Sequence, residues 1–143
     1  MQHRTTKPDI TAIQENEVFV FGSNLSGRHG KGAAKTAMKW GARYGNPAGL
    51  QGRTYAIPTT DKTVLAPLPI GQVEAYVNEF ILFAQANAHL TFLVTEIGCG
   101  LAGFTPDEIA PLFALAKDYP NIHLPQRFWN IIEQATNFKQ SKT

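Results

Sequence analysis

Two short segments hold most of the residues whose types and spacing could do chemistry. Residues 22–32 read GSNLSGRHGKG and residues 98–103 read GCGLAG. Glycine lets a backbone N–H approach a ligand closely and adopts positive φ without a steric cost. A helix that comes next adds its partly positive N-terminus. For one such loop alone, a tight turn is an equally good reading. Two of them directly after strands fall on one rim of a sheet, and together they favour a cradle for an anion.

The familiar phosphate motifs do not fit this pattern. After Gly22 and Gly27 come Arg28 and His29, so the lysine–hydroxyl pair of a P-loop is missing. Gly27, Gly30 and Gly32 are ordered G-x-x-G-x-G, which is not the dinucleotide fingerprint. Kinase, GTPase and dehydrogenase chemistry all lose ground.

Side chains with reactive groups lie in and beside these loops. His29 carries an imidazole that could act as an acid or base; the plainer alternative is a rim histidine bonded to backbone. Asp61 could activate a water at a strand end, or serve as a turn residue in TTDKT. Arg28 and Lys31 could hold a phosphate, although exposed loop cations are usually only solvated. The direction of Glu96 stays open. Cys99 would be a nucleophile only if a helix N-terminus lowered its pKa. Neither His89 nor His123 has the context of a partner, so packing is the better reading. Four histidines and one cysteine, none spaced like ligands, speak against a metal.

The rest of the chain must position these groups. Its 143 residues suit one domain, 1–143, with a tail at about 139–143. The composition is 43% hydrophobic and 17% charged, with a formal charge of +2. That balance suits an anionic ligand but is too weak to announce a nucleic-acid binder. A single cysteine, no apolar leader and no membrane-length apolar run predict a cytoplasmic protein. VFVF at 18–21 reads as a strand buried on both faces. GAAKTAMKW reads as a helix, TYAIPT (54–59) as a strand stopped by Pro58, and FLVTEIG (92–98) as another strand. Ile70, Val73, Val77, Phe80, Ile81 and Ala84 have helical spacing. Thr105, Pro106 and Glu108 give a capped helix start, with Ile109, Leu112, Phe113 and Ala116 on its buried face. A short strand at 122–124 and a last helix carrying Phe128, Trp129, Ile131, Ile132 and Ala135 complete the chain. Alternating strands and helices predict an α/β fold with a mixed, mostly parallel sheet flanked by helices in three layers.

The order Asp9-Ile10-Thr11, VFVFGSN, a His-Gly-x-Gly-Ala loop and then IGCGLAGF resembles the macrodomain family over roughly residues 9–117. It is most similar to the terminal ADP-ribose protein glycohydrolase branch and to a group of uncharacterised phage and bacterial proteins. The resemblance implies binding of ADP-ribose or a related nucleotide, with hydrolysis of an ADP-ribosyl bond as a further possibility and no cofactor. It implies that Asp9 accepts from the adenine amino group, and that Ser23 and Asn24 belong to the ribose-side loop. Asn24 would face the distal ribose, or else cap the backbone of its own loop. Gly30, Gly32 and Ala33 would line the distal ribose, where bulk would block it, with Lys31 beside them as a ligand-binding residue. Gly98, Cys99, Gly100, Leu101, Ala102 and Gly103 would offer amides to the diphosphate, and Phe104 would pack beside the ribose or adenine unless it is a core aromatic. The branch uses a lysine after its middle strand, for which Asp61 and Lys62 are the nearest equivalents. Ala102 stands where that branch carries a catalytic aspartate, so its lysine–aspartate pair is incomplete here. The alternative function is a non-enzymatic module for nucleic acid or protein, using Arg28, Lys31, Lys35, Lys39 and Arg43.

Overall fold

The computed structural model describes residues 4–100 and 102–141. Six strands form one sheet: β1 (Thr5–Thr6), β2 (Glu17–Asn24), β3 (Gly49–Gln51), β4 (Thr54–Thr60), β5 (Thr91–Val94) and β6 (Ile122–Pro125). Their order is β1-β6-β5-β2-β4-β3, parallel throughout except for the antiparallel β3–β4 pair. The helices are α1 (Gly32–Ala37), α2 (Ile70–Ala86), α3 (Pro106–Ile109) and α4 (Gln126–Ser141). The architecture is α/β with a mixed, mostly parallel sheet, as the alternating pattern predicts.

Strand β2 shows why. Its side chains alternate between faces, and both faces are buried. Val18 and Val20 join the larger core with Val77 and Phe80 of α2 and Phe128 and Trp129 of α4. Phe19 and Phe21 join the smaller core under α1, with Ala34 and Ala37. In α2 the expected stripe is buried at Val73, Val77, Phe80, Ile81 and Ala84, while Ile70 at its first position is 44% exposed. The Thr105 capping box forms as expected, its hydroxyl accepting from the Glu108 amide.

Several boundaries depart from the sequence reading. Strand β4 runs through Pro58 to Thr60 instead of stopping there. Proline lacks a donor and is tolerated at a bulge or a free edge. Pro58 has both: the β2–β4 register shifts just after it, and β3 pairs no further than Ala56. Strand β5 ends at Val94, so residues 95–98 are already loop. The helix read from GAAKTAMKW is shorter than expected: α1 ends at Ala37, and a 3₁₀ turn covers Met38–Trp40. A 3₁₀ segment, Ala110–Asp118, likewise continues α3. Strands β1 and β3 have too few residues to show a period and were not expected. Of the tail, Lys142 and Thr143 lie outside the described residues. Among the described residues, no helix is long and apolar enough to cross a membrane.

One consequence of this packing is a pH dependence. His123 on β6 has its pKa lowered, chiefly by burial, with Arg4 adding to the effect and Glu17 opposing it. The unfolded chain therefore binds this proton more readily than the folded one. Above the ordinary value of 6.5 the group is neutral in both states. Below it, stability is expected to fall as pH drops towards the lowered folded value. His123→Gln should flatten the slope of urea-melt stability between pH 7 and 5; an unchanged slope would remove His123 as its source.

Candidate functional site

In an open parallel sheet, ligands bind outside the carboxyl ends of the strands. Here those ends are Asn24 of β2, Thr60 of β4 and Val94 of β5, which are neighbours in the sheet. The first glycine segment leaves β2 and the second comes after β5. Their necks abut, since a Cβ on Gly22 would lie 3.4 Å from the Gly98 amide nitrogen. Outward from this point opens a cleft of about 780 Å³.

The first loop is folded around Asn24. Its Oδ1 accepts from Ser26 Oγ at 2.7 Å and from the Arg28 amide at 2.9 Å. Its Nδ2 donates to the Arg28 carbonyl at 2.8 Å. Asn24 borders the cleft, but these bonds are those of a residue capping its own loop. Gly27 has φ +72°, and its carbonyl accepts from the Gly45 amide at 2.8 Å. Ser23 Oγ donates to the Pro47 carbonyl at 2.5 Å. Together these bonds fasten the 41–48 segment to the glycine loop.

His29 serves the same end. It is 1% exposed, its ring meets Phe21 edge-on at 5.3 Å, and Nε2 lies 3.1 Å from the Asn46 carbonyl. A carbonyl only accepts, so Nε2 donates in this bond, and the buried Nδ1 has no partner among the described residues. His29 does not border the cleft; the structure gives it the backbone-bonded place that was the plainer alternative. Replacing it by alanine removes a buried ring and a hydrogen bond. The expected loss is about 2–4 kcal/mol of stability by urea melts, and a loss under 1 kcal/mol would contradict this role.

The second loop is a compact turn. The Gly103 amide donates to the Gly100 carbonyl at 3.0 Å, and the Phe104 amide to the Gly98 carbonyl at 2.9 Å. Gly98 sits at φ +77°, where a Cβ would come within 3.1 Å of the Phe104 ring. Phe104 thus packs behind the loop against the larger core, not in the cleft. Across the gap, the amides of Gly30, Lys31, Gly100 and Ala102 make no backbone hydrogen bond among the described residues. A Cβ at Gly30, Gly32 or Gly100 would meet nothing within 4 Å.

The structure brings Ser23, Asn24, Gly30, Lys31, Gly32, Ala33, Gly98, Gly100 and Ala102 together around this cleft, with Arg28 and Glu96. It does not bring Asp9, Asp61, Lys62, Cys99 or Gly103 to the lining. Leu101 lies outside the described residues. Asp9 is exposed in a bend after β1. Asp61 Oδ1 accepts from the amide and the hydroxyl of Thr63, and the hydroxyl bond chiefly holds its carboxyl below the usual range. It is the turn aspartate of the plainer reading.

Glu96 supplies the cleft's single carboxylate among the described residues, and both its oxygens are engaged by Arg127 at 2.6 Å. Arg28 and Lys31 are therefore the cations facing the opening without a counter-charge of their own in the lining. The basic series Lys31, Lys35, Lys39 does not lie on one α-helix, because Lys31 precedes α1, which ends at Ala37, and Lys39 sits in the 3₁₀ turn beyond it. Burial pushes the Cys99 thiol up to about 11, with Glu96 adding to the shift. The thiolate is the reactive form, so iodoacetamide should label Cys99 negligibly at pH 7 and increasingly towards pH 11. Rapid labelling at neutral pH would show a different environment.

The lining also includes Tyr44, Thr59, Thr60, Val64, Leu65 and Thr95, which the motifs do not mark. The threonines could have been found from the rule that strand ends face the ligand. Tyr44 could not, because long-range bonds, among them those with Gly27, His29, Ser23 and Gln51, carry its loop to this rim. Among the described residues, no cluster of three metal-binding side chains forms. Comparison of the chain with protein-family models, curated proteins and solved structures gives no match.

Proposed function

We propose that this cleft binds ADP-ribose or a closely related nucleoside diphosphate. One observation carries the reading: two glycine segments some seventy positions apart border a single cleft at the carboxyl ends of adjacent parallel strands. Its volume of about 780 Å³ falls within the usual range for small-molecule sites. Amides on both loops without a backbone partner among the described residues are suited to phosphate oxygens, which accept several hydrogen bonds at once. Arg28 and Lys31 add positive charge at the opening. The order of motifs resembling the macrodomain family supports the ADP-ribose form of the ligand.

Binding, not cleavage, is the activity these side chains support. His29, Asp61 and Lys62 are absent from the cleft lining, and a general acid or base must reach the proton it transfers. Calorimetric titration with ADP-ribose, AMP and NAD tests the reading. A saturable heat with ADP-ribose is expected; none with any of the three would end it. A shallow salt dependence is expected too, whereas a steep one would favour a nucleic-acid ligand.

A further inference from the structure

The cleft is bordered by apolar side chains that phosphate groups would leave unused. Tyr44 and Leu65 are 64% and 89% exposed, and both border it. They belong to the segments that enter β3 and leave β4, on the side of β2 away from β5 and the second glycine loop. Neither is a loose surface residue. Tyr44 rides the segment fastened by Gly27, Ser23 and His29. Leu65 rides a turn knotted by its own hydrogen bonds. Thr63 donates twice to Asp61 Oδ1, the Leu65 amide donates to Thr63 Oγ1, and the Asp61 amide donates to the Ala66 carbonyl.

Val64 in that turn has φ +66°, a region where a β-branched residue is strained. Such strain persists only where the surroundings enforce it, and it gathers at ligand clamps. The outcome is an exposed leucine and an exposed tyrosine that border one cleft. Exposed apolar groups that line a concavity are explained by what enters it.

Building on the nucleotide reading, we infer that Tyr44 and Leu65 are two jaws that take the planar heteroaromatic ring of the ligand, adenine or nicotinamide. The ring would stack on Tyr44 and rest on Leu65 while the phosphates meet the glycine loops. A rigid aromatic on a fastened loop suits this task because little conformational freedom is lost on contact.

Titrating the intact chain with AMP, nicotinamide mononucleotide and inorganic pyrophosphate tests the inference. Tyr44→Ala and Leu65→Ser should each weaken the preferred ring-bearing ligand by about tenfold, the scale of base–aromatic stacking. Pyrophosphate affinity should not move, and Tyr44→Phe should keep wild-type behaviour. Whichever nucleotide shows the loss identifies the ring. If both nucleotides bind Tyr44→Ala as they bind wild type, or if pyrophosphate weakens equally, the jaws are wrong while the phosphate cradle stands. If none of these ligands, nor ADP-ribose, binds the wild-type chain, both proposals fall.

Discussion

Replacing Gly27 by alanine is expected to destabilise the protein by about 3 kcal/mol, a shift of roughly 10 °C in Tm. Gly27 lies at φ +72°, which an L side chain rarely adopts. A Cβ there would stand 2.5 Å from both the Asn46 nitrogen and the Gly45 carbonyl carbon. Those atoms are backbone, so no rotamer change relieves the clash. The 41–48 segment would have to lift, breaking the Gly45–Gly27 and His29–Asn46 bonds that hold it. Thermal and urea denaturation read the effect directly. Gly30→Ala is the control, because Gly30 has no positive φ and a Cβ there meets nothing within 4 Å. It should change stability by less than about 0.5 kcal/mol. Equal behaviour of the two variants would mean that the close approach at Gly27 is not what holds the rim.

The largest expected effect on binding comes from filling the cleft without straining the fold. Gly30 and Gly100 border it from opposite loops, and neither has positive φ. Valine is therefore allowed at both, and its branched side chain has little freedom to swing aside. The double variant should lose ADP-ribose affinity on the order of 100-fold, or about 2.8 kcal/mol, with Tm unchanged. Each single valine should account for part of the loss. A double variant that binds ADP-ribose like the wild type, at an unchanged Tm, would place the nucleotide elsewhere. A fall in Tm alongside the lost affinity would instead point to damage in the loops themselves.

The two glycine segments were legible because their function is local. A strand of VFVF type must be buried on both faces, so it belongs inside a sheet, and the residues next in the chain must leave at a strand end. The threonine cap of α3 and the apolar stripe of α2 were legible for the same reason, since capping and amphipathicity act over one or a few turns. Pro58 misled because its missing donor matters only where a neighbour needs one. The neighbour's register shift and the early end of β3 are properties of the sheet, not of TYAIPT. Strand β5 is shorter than FLVTEIG for a similar reason: its partners β2 and β6 pair with residues no later than Val94.

Side-chain roles in the site divide the same way. Asn24, His29 and Asp61 each had a chemical reading and a backbone-bonding one, and residue type alone cannot separate them. The difference is set by which groups each side chain reaches in the fold: the Asn46 carbonyl of a distant segment for His29, the loop's own backbone for Asn24, and Thr63 two residues on for Asp61. Residue order alone determined that this chain is α/β and that two glycine-rich bends follow buried strands, the second only after a short loop from Val94, because period, burial and turn chemistry are short-range. Only the tertiary structure decided that the bends border one cleft, and that Tyr44 and Leu65 border it with them. Pairing between strands distant in sequence brought those groups together, and no local pattern encodes that meeting.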